Sequence, residues 1–414
     1  MPAEPILILL AAPLRPRDAA GSVWQPDGER MILGLSLIRR AVLAARRAGY
    51  GQVFLLTANG GATAGAANAP DWSRLAGTMT TAPKTGSLII APIAILAETD
   101  WLERLAEMRI EPAAWAAIPN RIVMVAAAST SAALDALEEK GGARDLNAVE
   151  SRLARRFGPA AAVPAGVDPM VVETTADVRG AERRLIWALV KDTDGFMARH
   201  VERPISLQIS RLLAPTAITP NQMSLISIAV GICGGPFFLS QRASLQTAGA
   251  LLFLAHSILD GCDGELARLK FEESRWGGVL DFWGDNVVHV VIFACMAIGW
   301  SLSVAAGWPL LLGATAVLGT FGSAGLVYCR LMRGKDGRGA RFTSVSAEPE
   351  RPLARALDSA SRRDFIYLVL LLALAGRSHW FLLLAALGAP IYFCLVLFLA
   401  ARERSVGTRS PSGA

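Results

Sequence analysis

Four aspartates interrupt an apolar part of the sequence, and their spacing groups them in two pairs. Asp260 and Asp263 lie three residues apart in the chain. Asp281 and Asp285 lie four residues apart, so each pair shares one face of a helix. Ionisable groups within membrane spans are costly and usually functional, and carboxylates that meet there repel one another unless cations neutralise them. The pattern therefore predicts a site for hard divalent cations, Mg²⁺ or Mn²⁺, which prefer oxygen ligands.

Small residues accompany the aspartates at fixed offsets. Gly264 and Ala267 share the face of the first pair, and Gly277 lies one turn before Asp281. Two cations roughly 3.5 to 4 Å apart clamp a phosphate group that undergoes in-line displacement. Glycine and alanine let a nucleotide diphosphate approach the helix backbone, and Arg268 offers a planar guanidinium group to a phosphate. The pattern favours phosphate-transfer chemistry between two facing helices.

Two other interpretations of the aspartates remain open. A single aspartate of this kind can cap or solvate a helix end near the membrane interface. An ion or proton transporter with an acidic core also buries aspartates. A transporter explains neither the small residues nor Arg268, and the sequence shows no inverted repeats. His256 and His289 lie one turn outside the aspartates, and we interpret both as partners in helix–helix hydrogen bonds.

The composition indicates a protein that lies partly in lipid. Hydrophobic residues make up 53% of the 414-residue chain and charged residues 18%, which is too apolar for an ordinary soluble protein. Short apolar runs alternate with charged stretches as far as about Leu185, and long uncharged runs follow from about Thr219. All five cysteines fall in the apolar half without a CxxC pair, so neither a disulfide framework nor a zinc site is predicted. The N-terminus lacks a signal peptide, so we expect the first half to stay in the cytoplasm.

Six apolar runs follow residue 219, each near the roughly 20 residues that a bilayer requires. They cover approximately residues 222–239, 244–266, 278–301, 308–331, 364–375 and 380–401. The fifth run is short because Gly376 and Arg377 end it. Arginines and lysines crowd residues 330–363 and follow the last run, whereas the connections on the other side carry only Arg242 and Arg377. This asymmetry predicts six spans in the cytoplasmic (inner) membrane, with both termini and the aspartates on the cytoplasmic side.

The segment between the two halves mixes apolar residues with arginines. Residues 191–213 are typical of a pair of short helices, broken near Pro204, that lie on a membrane surface with anionic lipids. An ordinary linker helix is the alternative interpretation. The net charge of +6 lies mostly beside the apolar runs, so we predict no nucleic-acid partner.

The first half alternates short apolar strands with helical stretches. The predicted strands are residues 6–10, 52–56, 87–91 and 121–125, and the predicted helices include residues 33–48 and 101–108. Such alternation predicts an α/β domain of the Rossmann-like kind, with a parallel sheet covered by helices.

The residues around the aspartates resemble the signature of the CDP-alcohol phosphotransferase family, D-x2-D-G-x2-A-R-x8-G-x3-D-x3-D. Its fixed positions are filled, in order, by Asp260, Asp263, Gly264, Ala267, Arg268, Gly277, Asp281 and Asp285. The resemblance extends over about residues 191–404 and includes Asn221, which looks like part of the family's Pro-Asn element. It implies that a phosphate-linked alcohol moves from a CDP-activated donor to an acceptor alcohol with release of CMP.

The same resemblance implies a role for each residue of the site. All four aspartates would bind two divalent cations, Mg²⁺ or Mn²⁺, and Asp285 would also act as general base toward the acceptor hydroxyl. The implied contacts with the CDP moiety are Asp260, Gly264, Ala267, Arg268, Gly277 and Asn221. The family further implies an all-α domain of six transmembrane helices, a homodimer in the lipid bilayer, and a donor such as CDP-diacylglycerol or a CDP-inositol.

The first half is similar to sugar-phosphate nucleotidyltransferase domains. The two halves together resemble the fused inositol-phosphate cytidylyltransferase and di-inositol-phosphate-phosphate synthase. Residues 10–17, LAAPLRPR, stand where that family has a glycine-rich phosphate loop, and Pro13 and Arg15 hinder a close approach of phosphate to the backbone. Residues 89–93 end without a metal-binding carboxylate, and Val171 replaces an expected aspartate. We therefore expect a domain that has lost nucleotidyl transfer, with an active bifunctional enzyme as the alternative.

These observations divide the chain into four predicted segments. Residues 1–188 form the nucleotidyltransferase-like cytoplasmic domain, and residues 189–218 form juxtamembrane amphipathic helices. Residues 219–404 form the membrane domain with the phosphotransferase signature, and residues 405–414 form a disordered tail.

Overall fold

A computed structural model of the protein describes most of the chain and divides it into two compact units. The described residues are 5–10, 30–56, 87–108, 115–118, 121–126, 129, 146–163, 169–190, 195–332 and 365–407. The first unit is Met1–Leu185, and the second is Ile186–Ala414.

The first unit contains a six-stranded sheet in the order β4-β1-β5-β7-β6-β8. The strands are β1 (Ile6–Leu10), β2 (Met31–Ile32), β3 (Leu35–Ser36), β4 (Gln52–Leu56), β5 (Leu88–Pro92), β6 (Trp115–Ile118), β7 (Ile122–Val125) and β8 (Ala161–Ala162), of which β2 and β3 pair separately. The helices are α1 (Leu37–Arg47), α2 (Thr99–Glu107), α3 (Leu146–Phe157) and α4 (Thr175–Trp187). Every residue of β1 and β5 is buried, which explains why both strands are uniformly apolar.

The sheet is mixed, so the prediction of a parallel sheet is correct for only part of it. β1 pairs in parallel with β4 and β5, and β6 pairs in parallel with β8. β7 runs antiparallel to both β5 and β6. Residues 119–121 alone connect β6 to β7, and so short a connection permits a hairpin but not the crossover that a parallel pair needs.

The helix predicted over residues 33–48 begins later than expected. Leu33 and Gly34 have positive φ angles of 49° and 81° and form the turn of the β2–β3 hairpin. Ser36 then caps α1 by accepting a hydrogen bond from the backbone N–H of Arg39. The helical pattern of the sequence therefore includes four residues that belong to the hairpin.

The second unit is helical in its described residues. It contains α5 (Arg203–Leu213), α6 (Pro220–Gly234), α7 (Ala243–Lys270), α8 (Arg275–Val304), α9 (Trp308–Val327), α10 (Phe365–Leu374) and α11 (Ser378–Gly407). Five segments of it are long and apolar enough to cross a membrane: Pro220–Leu239, Ala243–Lys270, Arg275–Val304, Trp308–Arg330 and Ser378–Ala401. α10 is apolar but shorter than these spans. The unit is therefore a helical membrane domain with five candidate spans.

The segment that leads into α5 is continuous, so the predicted break near Pro204 is wrong. Residues Ala198–Glu202 form a π-helical turn, and the backbone N–H of Arg203 donates to the carbonyl of Ala198, five residues earlier. Pro204 lies in the first turn of α5, where its missing N–H is tolerated. The wider π turn precedes the proline without interrupting the helical path.

α9 and α11 approach each other closely at Gly319. A Cβ atom at this position would lie 2.6 Å from the carbonyl carbon of Ala389 and 2.6 Å from the backbone nitrogen of Pro390. Small residues permit such backbone contact between membrane helices, whose association depends on packing rather than on a hydrophobic driving force.

We expect Gly319→Ala to lower the unfolding free energy by about 1 to 3 kcal/mol, because the backbone of α11 cannot rotate aside as a side chain can. Gly325→Ala is the matched control in α9, since a Cβ atom there would meet nothing within 4 Å. Thermal unfolding in detergent measures the difference between the two variants. Equal melting temperatures would contradict the close contact.

Candidate functional site

A short turn brings the two pairs of aspartates together. α7 ends at Phe271, which adopts a left-handed φ angle of 59°. Ser274 then caps α8 by accepting a hydrogen bond from the backbone N–H of Gly277 at 3.0 Å. Only residues 271–274 separate the two helices, so the end of α7 lies beside the start of α8.

Three of the four aspartates form a compact cluster of carboxylates. Asp260, Asp281 and Asp285 each offer an oxygen, and these oxygens lie within 4.8 Å of one another. Asp260 is buried, and the other two are half-buried. Asp263 lies at the edge of this cluster, where its carboxylate interacts electrostatically with those of Asp260 and Asp285. The structure therefore brings three of the four aspartates into one cluster and leaves Asp263 near enough to interact with it.

The donor set fits hard divalent cations. It consists of carboxylate oxygens, the ligand type that Mg²⁺ and Mn²⁺ prefer. Three carboxylates at this separation, with that of Asp263 nearby, repel one another in an apolar surrounding, and divalent cations remove that repulsion. The only cysteine in this stretch, Cys262, points away from the cluster, because its Sγ lies 3.5 Å from the Ser206 carbonyl oxygen of α5.

Ser224 of α6 holds Asp263 in place. Both residues are buried, and the Ser224 hydroxyl donates a hydrogen bond to the Asp263 carboxylate. This bond orients the carboxylate of Asp263. The sequence analysis did not identify Ser224. The sequence does contain a feature that could have indicated Ser224. It is a hydroxyl residue in a run that is otherwise apolar, and a second one, Ser227, follows three positions later.

His256 joins two helices and also contacts the cluster. Its Nδ1 lies 2.9 Å from the Ser227 carbonyl oxygen, so the predicted helix–helix hydrogen bond is confirmed. Its Nε2 lies 3.4 Å from Oδ1 of Asp285, so His256 also faces the aspartate site. His289 lies among aromatic rings, with its ring centroid 5.5 Å from that of Phe253.

Asn221 lies against the start of α8. A Cβ atom at Gly277 would be 2.9 Å from Oδ1 of Asn221 and 3.0 Å from Oγ of Ser274. Glycine at this position therefore leaves room for the Asn221 side chain. Although Asn221 is exposed, its helix is fixed at the start, because Thr219 and Gln222 form a reciprocal capping box.

Lys270 ties the loop before α6 to the end of α7. Its ammonium group donates to the carbonyl oxygens of Thr216 at 2.8 Å and Ile218 at 2.7 Å. These bonds fix the chain just before Asn221, so the asparagine and the aspartates share one rigid frame.

Gly264, Ala267 and Arg268 continue the face of α7 that carries the aspartates. A Cβ atom at Gly264 would lie 3.6 Å from Nη1 of Arg268, so the guanidinium group runs along this face. Gly264 and Arg268 are half-buried, and Ala267 is 9% exposed. This face of α7 therefore presents small residues, and the positively charged guanidinium group of Arg268 lies at its edge.

In the first unit, Thr174 and Asp177 form the N-terminal cap of α4. Asp177 accepts hydrogen bonds from the hydroxyl of Thr174 at 2.8 Å and from its backbone N–H at 2.7 Å, and these bonds lower the pKa of the carboxyl group. Thr174 and Asp177 thereby cap the start of α4. Val171 makes a β-bridge with Ile95. The loop of residues 10–17 lies outside the described residues except for Leu10.

Residues 217–339 match the family model described as CDP-alcohol phosphatidyltransferase. The matched range includes all four aspartates and every proposed CDP contact. The resemblance seen in the signature is therefore confirmed, and the second unit contains a domain of this family.

The chain is similar to curated proteins named bifunctional IPC transferase and DIPP synthase. It is 42% identical to the protein of Archaeoglobus fulgidus over 130 residues, which are 31% of this chain and 26% of that protein. It is 37% identical to the protein of Rubrobacter xylanophilus over 148 residues, which are 35% of this chain and 33% of that protein. The match thus spans about a quarter to a third of the length of these relatives, and their name agrees with the fused arrangement that the sequence resembles.

Among solved structures, the chain is similar to the phosphatidylinositol phosphate synthase of Mycobacterium tuberculosis with CDP-DAG bound. The identity is 18%, the TM-score is 0.33, and the alignment covers 47% of this chain and 94% of that chain.

Proposed function

We propose that this protein transfers a phosphate-linked alcohol from a CDP-alcohol donor to an acceptor alcohol, with release of CMP, in the synthesis of a phospholipid or another polar lipid. The observation that carries the proposal is the cluster of Asp260, Asp281 and Asp285 on one helical hairpin, inside the range that matches the family model. The small residues and Arg268 on the same face support a nucleotide diphosphate as the ligand.

The four aspartates are the proposed ligands of two divalent cations, Mg²⁺ or Mn²⁺. The mutual distances of Asp260, Asp281 and Asp285 support a shared cation, and the orientation of Asp263 by Ser224 supports a second. When bound, the cations neutralise the phosphate oxygens and stabilise the attacking and leaving oxygens.

Asp285 is the proposed general base. Its carboxylate takes the proton of the acceptor hydroxyl, whose oxygen then bonds to the phosphorus that carries the donor alcohol. The bond from that phosphorus to the bridging oxygen breaks, and CMP leaves with this oxygen. The acceptor alcohol thereby becomes joined to the phosphate-linked group. His256 contacts Oδ1 of Asp285 and is placed to hold the carboxylate in one orientation.

The CDP moiety is proposed to lie along the small-residue face. Its proposed contacts are Asp260, Gly264, Ala267, Arg268, Gly277 and Asn221. The guanidinium group of Arg268 provides a planar donor for the diphosphate, and Asn221 provides an exposed amide beside Gly277.

We expect Gly277→Ala to raise the KM for the CDP donor about 3- to 10-fold, with a smaller effect on kcat. A change of this size in KM corresponds to the loss of one hydrogen bond between neutral groups. The added methyl group displaces the side chain of Asn221, which lies 2.9 Å from its position. Steady-state kinetics with a radiolabelled donor measures the change. Gly388→Ala is the control, because a Cβ atom there would meet nothing within 4 Å. An unchanged KM would remove Asn221 from the donor site.

The proposed location is the cytoplasmic membrane, with six spans and a homodimeric assembly. α10 supplies the sixth span in this arrangement, although its described length is only Phe365–Leu374. The excess of arginine and lysine in residues 330–363 supports a cytoplasmic position for both termini and for the aspartates. Labelling of Arg242→Cys and Glu272→Cys with an impermeant reagent, each in a protein whose five native cysteines are replaced, tests the orientation, since the two positions should react from opposite sides.

The direct test of the function is release of CMP. Membranes that contain the protein receive labelled CDP-diacylglycerol or CDP-inositol, a panel of acceptor alcohols, and Mg²⁺ or Mn²⁺. We expect CMP together with a product that contains the acceptor. No CMP from any pair, with folded protein present, would overturn the proposal and favour a transporter with an acidic core.

The name of the similar proteins favours a second candidate, an enzyme whose first unit also makes the CDP-alcohol. The proline-containing loop at residues 10–17 and the uncharged end of β5 argue against this activity. We therefore propose that the first unit is inactive. Pyrophosphate released from CTP with an inositol phosphate or a sugar phosphate would overturn this proposal.

A further inference from the structure

Glu265 is a buried carboxylate on α7 that the proposed chemistry does not use. Its side chain has no exposed surface. Oε1 accepts hydrogen bonds from Nη1 of Arg203 at 2.7 Å and from the Ser206 hydroxyl at 2.7 Å. Oε2 accepts one from the Ser210 hydroxyl at 2.7 Å. Both oxygens of the carboxylate are therefore satisfied by residues of α5.

α5 contacts α7 on the side of the helix that faces away from the aspartate cluster. A Cβ atom at Gly261 would lie 3.4 Å from Nη1 of Arg203, so the arginine passes directly over the residue after Asp260. The thiol of Cys262 donates to the Ser206 carbonyl oxygen at 3.5 Å. Residues 261, 262 and 265 thus contact α5, while Asp260 belongs to the carboxylate cluster and Asp263 contacts Ser224 of α6.

The charged contact is the main polar link between α5 and α7. Arg203, Ser206 and Ser210 follow one another at helical spacing and lie on the inner face of α5. The outer face instead carries apolar residues, with Ile205 44% and Leu212 74% exposed. Apolar burial alone therefore does not explain why this face of α5 lies against α7.

We propose that Glu265 is a positioning residue, which through Arg203, Ser206 and Ser210 holds the backbone of residues 260–263 in the geometry that binds the cations. A buried ion pair of this kind contributes little net stability but is costly to break from one side. Its effect is to select one arrangement of two helices. Groups that orient metal ligands typically change metal affinity or activity by about 10- to 100-fold when removed. This inference rests on the proposed function for the bound cations and for its kinetic consequence.

The test compares Glu265→Gln, Arg203→Met and their double variant with the exposed control Gln208→Ala in purified full-length protein. We expect each single variant to lower kcat for CMP release and to weaken Mn²⁺ binding by about 10-fold or more, with the donor KM nearly unchanged. Because the two charges act as one pair, the double variant should lose less than the product of the single losses. Electron paramagnetic resonance of free Mn²⁺ measures binding without reference to turnover.

A merely structural role would lower the melting temperature and the yield but leave kcat and Mn²⁺ affinity of the folded protein unchanged. Wild-type Mn²⁺ binding and kcat in folded Glu265→Gln would overturn the proposal. If that variant does not fold, the double variant Ser206→Ala with Ser210→Ala, which keeps the ion pair, is judged by the same two measurements. If the wild-type protein releases no CMP, the proposed function fails while the Mn²⁺ measurement still decides the role of Glu265.

Discussion

Asp285→Asn is expected to release CMP about 10² to 10⁴ times more slowly than the wild-type protein, the range for loss of a general base. The amide retains an oxygen near those of Asp260 and Asp281, which lie within 4.8 Å of the Asp285 carboxylate, so measurable Mn²⁺ binding should remain. The amide cannot take the proton of the acceptor alcohol. Turnover should therefore fall much further than metal binding does.

Single-turnover release of CMP and electron paramagnetic resonance of Mn²⁺ measure the two effects separately. Asn286→Ala is the neighbouring control, because its amide donates to the Phe282 carbonyl oxygen of its own helix at 2.7 Å. Turnover of Asp285→Asn at the wild-type rate would exclude Asp285 as the base. A parallel loss of binding and turnover would assign it to metal binding alone.

Asp260→Asn and Asp281→Asn are each expected to reduce Mn²⁺ affinity and turnover by more than about a hundredfold, which exceeds the usual effect of a group that only orients a ligand. Both carboxylates belong to the cluster that would hold a shared cation. Residues that act as a unit give non-additive losses, so the double variant should be little worse than either single variant.

Isothermal titration with Mn²⁺ and CMP release at saturating donor check these values. Glu272→Gln, an exposed carboxylate in the turn between α7 and α8, is the control and should behave as wild type. Losses that multiply in the double variant would mean that Asp260 and Asp281 act at separate sites.

The aspartate cluster was predictable because helical spacing is a local property. Residues three and four apart share a face wherever a helix forms, and the charged residues within 269–276 indicated a turn between the two helices. The contacts that hold the cluster were not predictable in this way. Ser224 reaches Asp263 across 39 positions and Arg203 reaches Glu265 across 62, and a single sequence does not show which helices pack together.

In the first unit, β1 and β4 have the predicted bounds because each contains at least four consecutive large apolar residues. β6 was missed, since Trp115–Ile118 contains two alanines and only one β-branched residue. The omission concealed the hairpin with β7, and with it the mixed character of the sheet. The strands that are rich in large apolar residues were thus predictable from the sequence. The antiparallel direction of β7 depended instead on the three-residue connection from β6, which was not recognised.

The short turn between α7 and α8 also affects how the protein is made. All four carboxylates lie within residues 260–285, so the centre consists of contacts between parts of the chain that are close in sequence. Such contacts form early, because little loop-closure entropy opposes them. During synthesis, the hairpin is complete before α9, α10 and α11 have been translated. We therefore expect the carboxylates to meet in the nascent chain, and the later helices to pack around a centre that already exists.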